Sequence, residues 1–310
     1  MEFSAIRIYA SRMRLKVVVG ASALACAMAL PASAGMAPDP RPGDTLLGKS
    51  DGIAYVSDPE FAAMATSTET GTACPETPGK WRIAGGGFSL VGGADASQRV
   101  GSSAPADLLD FYGDDDLQRD DYWRTGAVVS VGTTVTSYAI CTKWDGLKQK
   151  EIEVPDSDSG ERSHVAKCGP GKKISGGGGA IATSDSYASS MFPKKARRWK
   201  FSAYDTIGGI GGMANYVVCT PNRDFQIFKE TAGVPAGGSS VLVIAECSLG
   251  ESVVGGGAKS SGAPGTLSLR ASQPYDSSDP DAIPSNGWAV RAFSTDPGSQ
   301  ELTSYAICSG

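Results

Sequence analysis

Three stretches decide the fold: CPETPGKWRIAGGGF (Cys74–Phe88), CGPGKKISGGGGA (Cys168–Ala180) and CSLGESVVGGGA (Cys247–Ala258). Each writes a cysteine, a glycine, an aliphatic residue and then a glycine triplet. Three glycines in a row remove three side chains from a strand. That permits a bulge, a positive φ, or close approach of another backbone. Three equivalent triplets suit a pseudo-threefold β structure in which strands crowd near an axis.

Working outward, each triplet opens a longer repeat. VGSSAP (100–105), SSMFP (189–193) and RASQP (270–274) follow the triplets. Then come Trp123, Trp199 and Trp288, which precede closing cysteines by 18, 20 and 20 residues. The closing strings are TSYAIC, NYVVC and TSYAIC, ending at Cys141, Cys219 and Cys308. Landmarks recur in order and the variable lengths fall between them, as expected of internal repeats. A strand, polar turn and strand lead into the second and third copies, and 54–74 reads as a degraded version. The copies therefore span about 50–145, 146–222 and 223–310.

The runs AVVSV, NYVVC, VLVIAEC and WAVRAFS are short, rich in Val, Tyr and Ile, or alternate apolar and polar, and Gly, Pro, Ser and Asp clusters separate them. This is strand-and-turn patterning. Only PEFAAMA near residue 62 and ADLLDFY near 108 suggest a helical turn. The predicted class is all-β, pseudo-threefold, disulfide-tied and β-prism-like, with a tandem of small β-sandwiches as the alternative. A phosphate-cradling role for the triplets, or for GGIGGM at 208–213, needs a helix after the glycines. No helical pattern follows any of them.

The N-terminus reads as a secretion signal: Arg7, Arg12, Arg14 and Lys16, then an apolar run, then PASAG. Cleavage is expected after Ala34, leaving a linker over 35–49. Cys26 raises a lipoprotein reading, but Ala23 stands where a lipobox carries Leu. The apolar run is short and Ala/Gly-rich for a membrane span. Removing the leader's four basic and one acidic residues from 28 and 33 leaves 24 and 32, a net charge of −8. An acidic exported chain is a poor partner for nucleic acid. Six cysteines remain, an even count that reads as disulfides in a secreted protein. Pairing within copies is expected: Cys74–Cys141, Cys168–Cys219 and Cys247–Cys308. Each would contribute about 3–5 kcal/mol in the chain-entropy picture. The swap Cys141–Cys168 with Cys219–Cys247 remains open at this point.

The C…G…GGG…W…YAIC skeleton resembles repeats in secreted bacterial proteins, a likeness that implies no activity. The threefold disulfide-bearing plan is similar to β-prism proteins of the vitelline membrane outer layer kind. That resemblance is architectural and carries no site residue over. It implies a glycan partner, since β-prism relatives often bind sugars, and fold alone does not fix function.

Chemistry-bearing residues concentrate before the tryptophans. Copy 1 has an acidic loop over 107–121, with Asp114, Asp115, Asp116 and Asp120 as candidate calcium ligands; a solvated acidic loop is the plain alternative. Copy 2 has Lys194, Lys195, Arg197 and Arg198, which suit an anionic polymer or plain solvation. Trp123, Trp199 and Trp288 hold repeated positions and are expected in the core. Trp81 and Trp144 lie outside those positions and are the candidate sugar-stacking rings. A catalytic triad would need His164, the only histidine, and no nucleophile motif accompanies it. The expected function is a non-catalytic protein recognising polysaccharide or cell-surface glycan. The rivals are a glycan-cleaving enzyme using Asp residues of 107–121 and a structural or protease-inhibitor-type protein.

Overall fold

The computed structural model describes residues 44–310, apart from 51, 63–65, 76–80, 93–97, 107–121, 155–159, 182–185, 206–211, 222, 237–239, 263–264, 278–280, 296–297 and 299. Every regular element among the described residues is a strand. After β1 (Thr45–Ser50), copy 1 gives β2 (Ile53–Phe61), β3 (Thr66–Ala73), β4 (Arg82–Val91), β5 (Arg99–Ala106), β6 (Tyr122–Val129) and β7 (Thr134–Thr142). Copy 2 gives β8 (Lys148–Val154), β9 (Glu161–Lys167), β10 (Lys172–Ile181), β11 (Ser186–Lys195), β12 (Arg198–Asp205) and β13 (Met213–Pro221). Copy 3 gives β14 (Phe225–Val234), β15 (Ser240–Glu246), β16 (Ser252–Ser261), β17 (Leu267–Tyr275), β18 (Gly287–Ser294) and β19 (Gln300–Ser309). No helix among them is long and apolar enough to cross a membrane.

Three antiparallel sheets result, ordered β1-β2-β7-β4-β17-β18-β15, β3-β6-β5-β10-β13-β8 and β14-β19-β16-β11-β12-β9. Each copy splits its six strands into two triples and gives them to different sheets. Each sheet joins a triple from one copy to a triple from another. The junctions are β4–β17, β5–β10 and β11–β16. Each glycine-bearing strand thus pairs with the Ser–Pro strand of another copy, and the pairing closes on itself around three copies. A tandem of sandwiches is excluded, because no copy forms a sheet alone. The cysteines pair Cys74–Cys141, Cys168–Cys219 and Cys247–Cys308, each with Cα atoms 5.7 Å apart, so the swapped pattern is excluded too.

The glycine triplets do three separate jobs. A bulge precedes each one, between Ile83 and Gly85, Ile174 and Gly176, and Val253 and Gly255. The first glycines meet at the axis: a Cβ on Gly176 would lie 2.6 Å from Ala84 O and 2.7 Å from Gly85 Cα. Gly85 stands likewise against Val254 and Gly255, and Gly255 against Ser175 and Gly176. The middle glycines Gly86, Gly177 and Gly256 receive the indoles of Trp123, Trp199 and Trp288. The third glycines Gly87, Gly178 and Gly257 lie against Ser272, Ser103 and Met191 of the partnered strands.

All three indoles are fully buried, so the repeated tryptophans are core residues. Trp123 Nε1 donates to Ser103 Oγ at 3.0 Å and Trp288 Nε1 to Ser272 Oγ at 2.9 Å. In copy 2 that serine's place is held by Met191, and Trp199 Nε1 is buried without a hydrogen-bond partner. Ser103→Ala or Ser272→Ala is expected to lower stability by about 1–3 kcal/mol, the cost of stranding a buried donor. A shift in urea midpoint with unchanged slope reads this; a change under about 0.5 kcal/mol would contradict it.

Over its described residues, 59–62, PEFAAMA forms no helical turn, and 63–65 lie outside the described residues. Pro59–Phe61 continue β2, paired with Thr134–Thr136 of β7. β1 pairs with β2 only as far as Ser57, so Pro59 sits where β2's outer edge carries no ladder and its missing N–H costs nothing. ADLLDFY beyond Ala106, GGIGGM up to residue 211, the leader and residues 35–43 lie outside the described residues.

Candidate anion-binding groove

Three quasi-equivalent corners form where each copy's disulfide ties its opening turn to its closing strand. Strand register matches them residue by residue. Cys141, Cys219 and Cys308 pair with Ala54, Lys148 and Gln226. The next positions along the lead-in strands are Tyr55, Gln149 and Ile227, then Val56, Lys150 and Phe228. The second lead-in strands end at Ala73, Lys167 and Glu246. The glycine-bearing strands begin beside Trp81, Lys172 and Glu251.

Copy 2 is open and basic here. A groove of about 570 Å³ is lined by Lys148, Lys150, Lys167, Lys172 and Arg197, together with Gln149 and the Cys168–Cys219 bridge, and no carboxylate is in its lining. A second depression of about 290 Å³ adjoins it, sharing Lys167 and Arg197 and adding Lys195 and Arg198. Four of the five cations have a local reason for their place. Alternation along β8 turns Lys148 and Lys150 outward at the sheet edge, where lysine blunts unwanted strand pairing. Lys172 closes a turn in which its N–H donates to Gly169 O at 3.3 Å. Pro170 and Gly171, with φ +71°, give that turn its type II chemistry. Arg197 Nη2 donates to Cys168 O at 3.2 Å and Cys168 N donates to Arg197 O at 3.1 Å, so the guanidinium is strapped across the bridge. Lys173 turns elsewhere, donating to Asp224 Oδ1 at 2.6 Å. That bond holds the Asp224 carboxyl below its usual range.

The other corners differ. In copy 3 the same turn recurs, with Glu251 N donating to Ser248 O at 3.0 Å and Gly250 at φ +85°. Glu251 and Glu246 now stand where copy 2 has Lys172 and Lys167. In copy 1, Trp81 takes the place of Lys172 and is buried, with Lys143 Nζ 4.8 Å and Lys49 Nζ 5.5 Å from its ring centroid. One scaffold thus carries one filled corner, one acidic corner and one open basic groove.

Of the residues singled out from sequence, Arg197, Lys195 and Arg198 come together at the groove and its adjoining depression. Lys194 is exposed and lines neither. Trp81 and Trp144 are each only 9% exposed. Trp144 packs on Phe225 at 5.7 Å with Arg223 4.4 Å from its centroid, so cations rather than open solvent lie over both indoles. Asp114, Asp115, Asp116 and Asp120 lie outside the described residues. Among the described residues no group of three His, Cys, Asp or Glu side chains is placed to hold a metal ion. Sequence reading missed Lys148, Lys150, Lys167, Lys172 and Gln149. Aligning the corners rather than the loops would have found them, because Lys172 answers to Trp81 and Glu251. No protein-family model matches this chain, and no curated protein matches it in sequence.

Proposed function

We propose that this is a secreted, non-catalytic binding protein that holds an acidic polysaccharide in the basic groove of copy 2. The observation that carries the reading is five cationic side chains around one groove, without a carboxylate in its lining, at a corner that the other two copies fill or make acidic. The volume falls within the range of ligand sites. The chain as a whole carries a formal charge of −5, so a polyanion is repelled elsewhere and drawn to this corner. Three disulfides support an exported protein. An exported protein meets anionic polymers chiefly as surface or matrix glycans.

Purified residues 35–310, titrated with polygalacturonate, test this. The association constant is expected to fall with salt, with a log–log slope of about −3, as neutralising about four or five charges on a flexible polyanion gives. No new reducing ends are expected. Absence of binding, or binding indifferent to salt, would overturn the reading. Release of reducing ends would replace it with the glycan-cleaving alternative. A parallel titration in chelator reports whether the 107–121 carboxylates contribute through calcium; the groove itself is expected to bind equally well without it.

A further inference from the structure

Gln149 is the one uncharged polar side chain on β8 that lines the groove. Its Oε1 and Nε2 are both buried and both lack a hydrogen-bond partner. Arg197, which lines the same groove, has its Nε in the same condition. The fold does not require an amide at this position. Tyr55 occupies it in copy 1, fully buried with its hydroxyl donating to Val253 O at 2.7 Å. Ile227 occupies it in copy 3 and packs against the core. Two corners thus use a satisfied or apolar side chain, and only the open corner carries an unsatisfied carboxamide. An unpaired buried amide destabilises the empty protein, and such groups point to an unfilled role.

We infer that Gln149 is a specificity-determining residue: it reads a neutral donor–acceptor pair, such as adjacent hydroxyls, next to the anionic group that the lysines hold. This rests on the proposed polyanion site and narrows its ligand to a hydroxylated polyanion. The lysines are donors only, and they recognise any anion. A carboxamide offers one donor face and one acceptor face. An acidic sugar supplies both complements beside its carboxylate. A bare polyphosphate supplies acceptors alone and leaves Oε1 unpaired. Sites built to bond a hydroxyl discriminate strongly against ligands that lack it.

The test compares polygalacturonate with long-chain polyphosphate at one ionic strength, on the wild-type protein and Gln149→Leu. Leucine mimics the copy 3 corner, so the variant is expected to fold and to melt no lower than wild type. The wild type is expected to prefer polygalacturonate by about tenfold or more. Gln149→Leu is expected to lose most of that preference through weaker polygalacturonate binding, with polyphosphate binding and both salt slopes unchanged. An unchanged preference in Gln149→Leu, or an equal loss for both polymers, overturns the inference and leaves the polyanion site standing. Failure of both polymers to bind the wild type overturns the site and the inference together.

Discussion

Replacing Gly176 by alanine is expected to abolish the native fold. The added Cβ would press on Ala84 O at 2.6 Å and Gly85 Cα at 2.7 Å. Both are backbone atoms of another copy's strand, so no side chain can swing aside. The clash also falls where three copies close on one another, so relief at one junction strains the next. Overpacking of this kind, at a rigid backbone contact, belongs with the few substitutions that cost more than about 4 kcal/mol. Gly85→Ala and Gly255→Ala are expected to behave alike, since each faces the next copy in the same way. Gly101→Ala is the control. It sits at a bulge, yet its Cβ would meet nothing nearer than 3.9 Å. Urea unfolding should place Gly101→Ala within about 1 kcal/mol of wild type, with Gly176→Ala recovered unfolded or aggregated. A Gly176→Ala protein with a near-native midpoint would mean that the strands do not meet at the axis.

The second large effect falls on binding. Lys148, Lys167 and Lys172 come from three different elements and share the groove. Changing all three to glutamate is expected to weaken polygalacturonate binding by about 100-fold or more at low salt. Exposed ion pairs contribute up to about 1 kcal/mol each, so three lost contacts approach about 3 kcal/mol, or ~100-fold, before repulsion is counted. Most of the loss should vanish at high salt, where wild-type binding has itself collapsed. Stability should change little, since Lys148 and Lys167 are exposed and Lys172 is half-buried. Lys194→Glu is expected to be nearly neutral, because that side chain lines neither depression. Equal binding by the triple variant and wild type would remove the groove from the account.

Much of this fold is written locally. The glycine triplets, the framing cysteines and the repeated tryptophans mark contacts that recur in every copy. The tryptophans read as core because their positions repeat, and Trp123, Trp199 and Trp288 are indeed buried on the middle glycines. The exchange of strand triples between copies leaves no such mark. β4 pairs with β17 through Ala271 and Ser272, residues that carry no signal of a distant partner. The groove was legible only in part. A charge run such as Lys194–Arg198 is visible along the chain, and it delivers Arg197. Lys148, Lys167 and Lys172 stand on three successive strands, 19 and five residues apart, with no run of charge to mark them, and the disulfide and the strand register bring them to one corner. Trp81 and Trp144 fall outside the repeated positions, which suggested free rings. Sequence could not show that Lys143, Lys49 and Arg223 would stand over them.

The three corners make the molecule its own control, and a hydrogen-exchange footprint exploits this. The protein would be saturated with polygalacturonate and the amide protection compared corner by corner. Slowed exchange is expected at 148–150, 167–172 and 196–198. The equivalent segments 54–56 with 73–75, and 226–228 with 246–251, are expected to exchange as in the free protein. Protection spread evenly over the three corners, or confined to segments away from copy 2, would contradict the claim that this corner alone is the binding site.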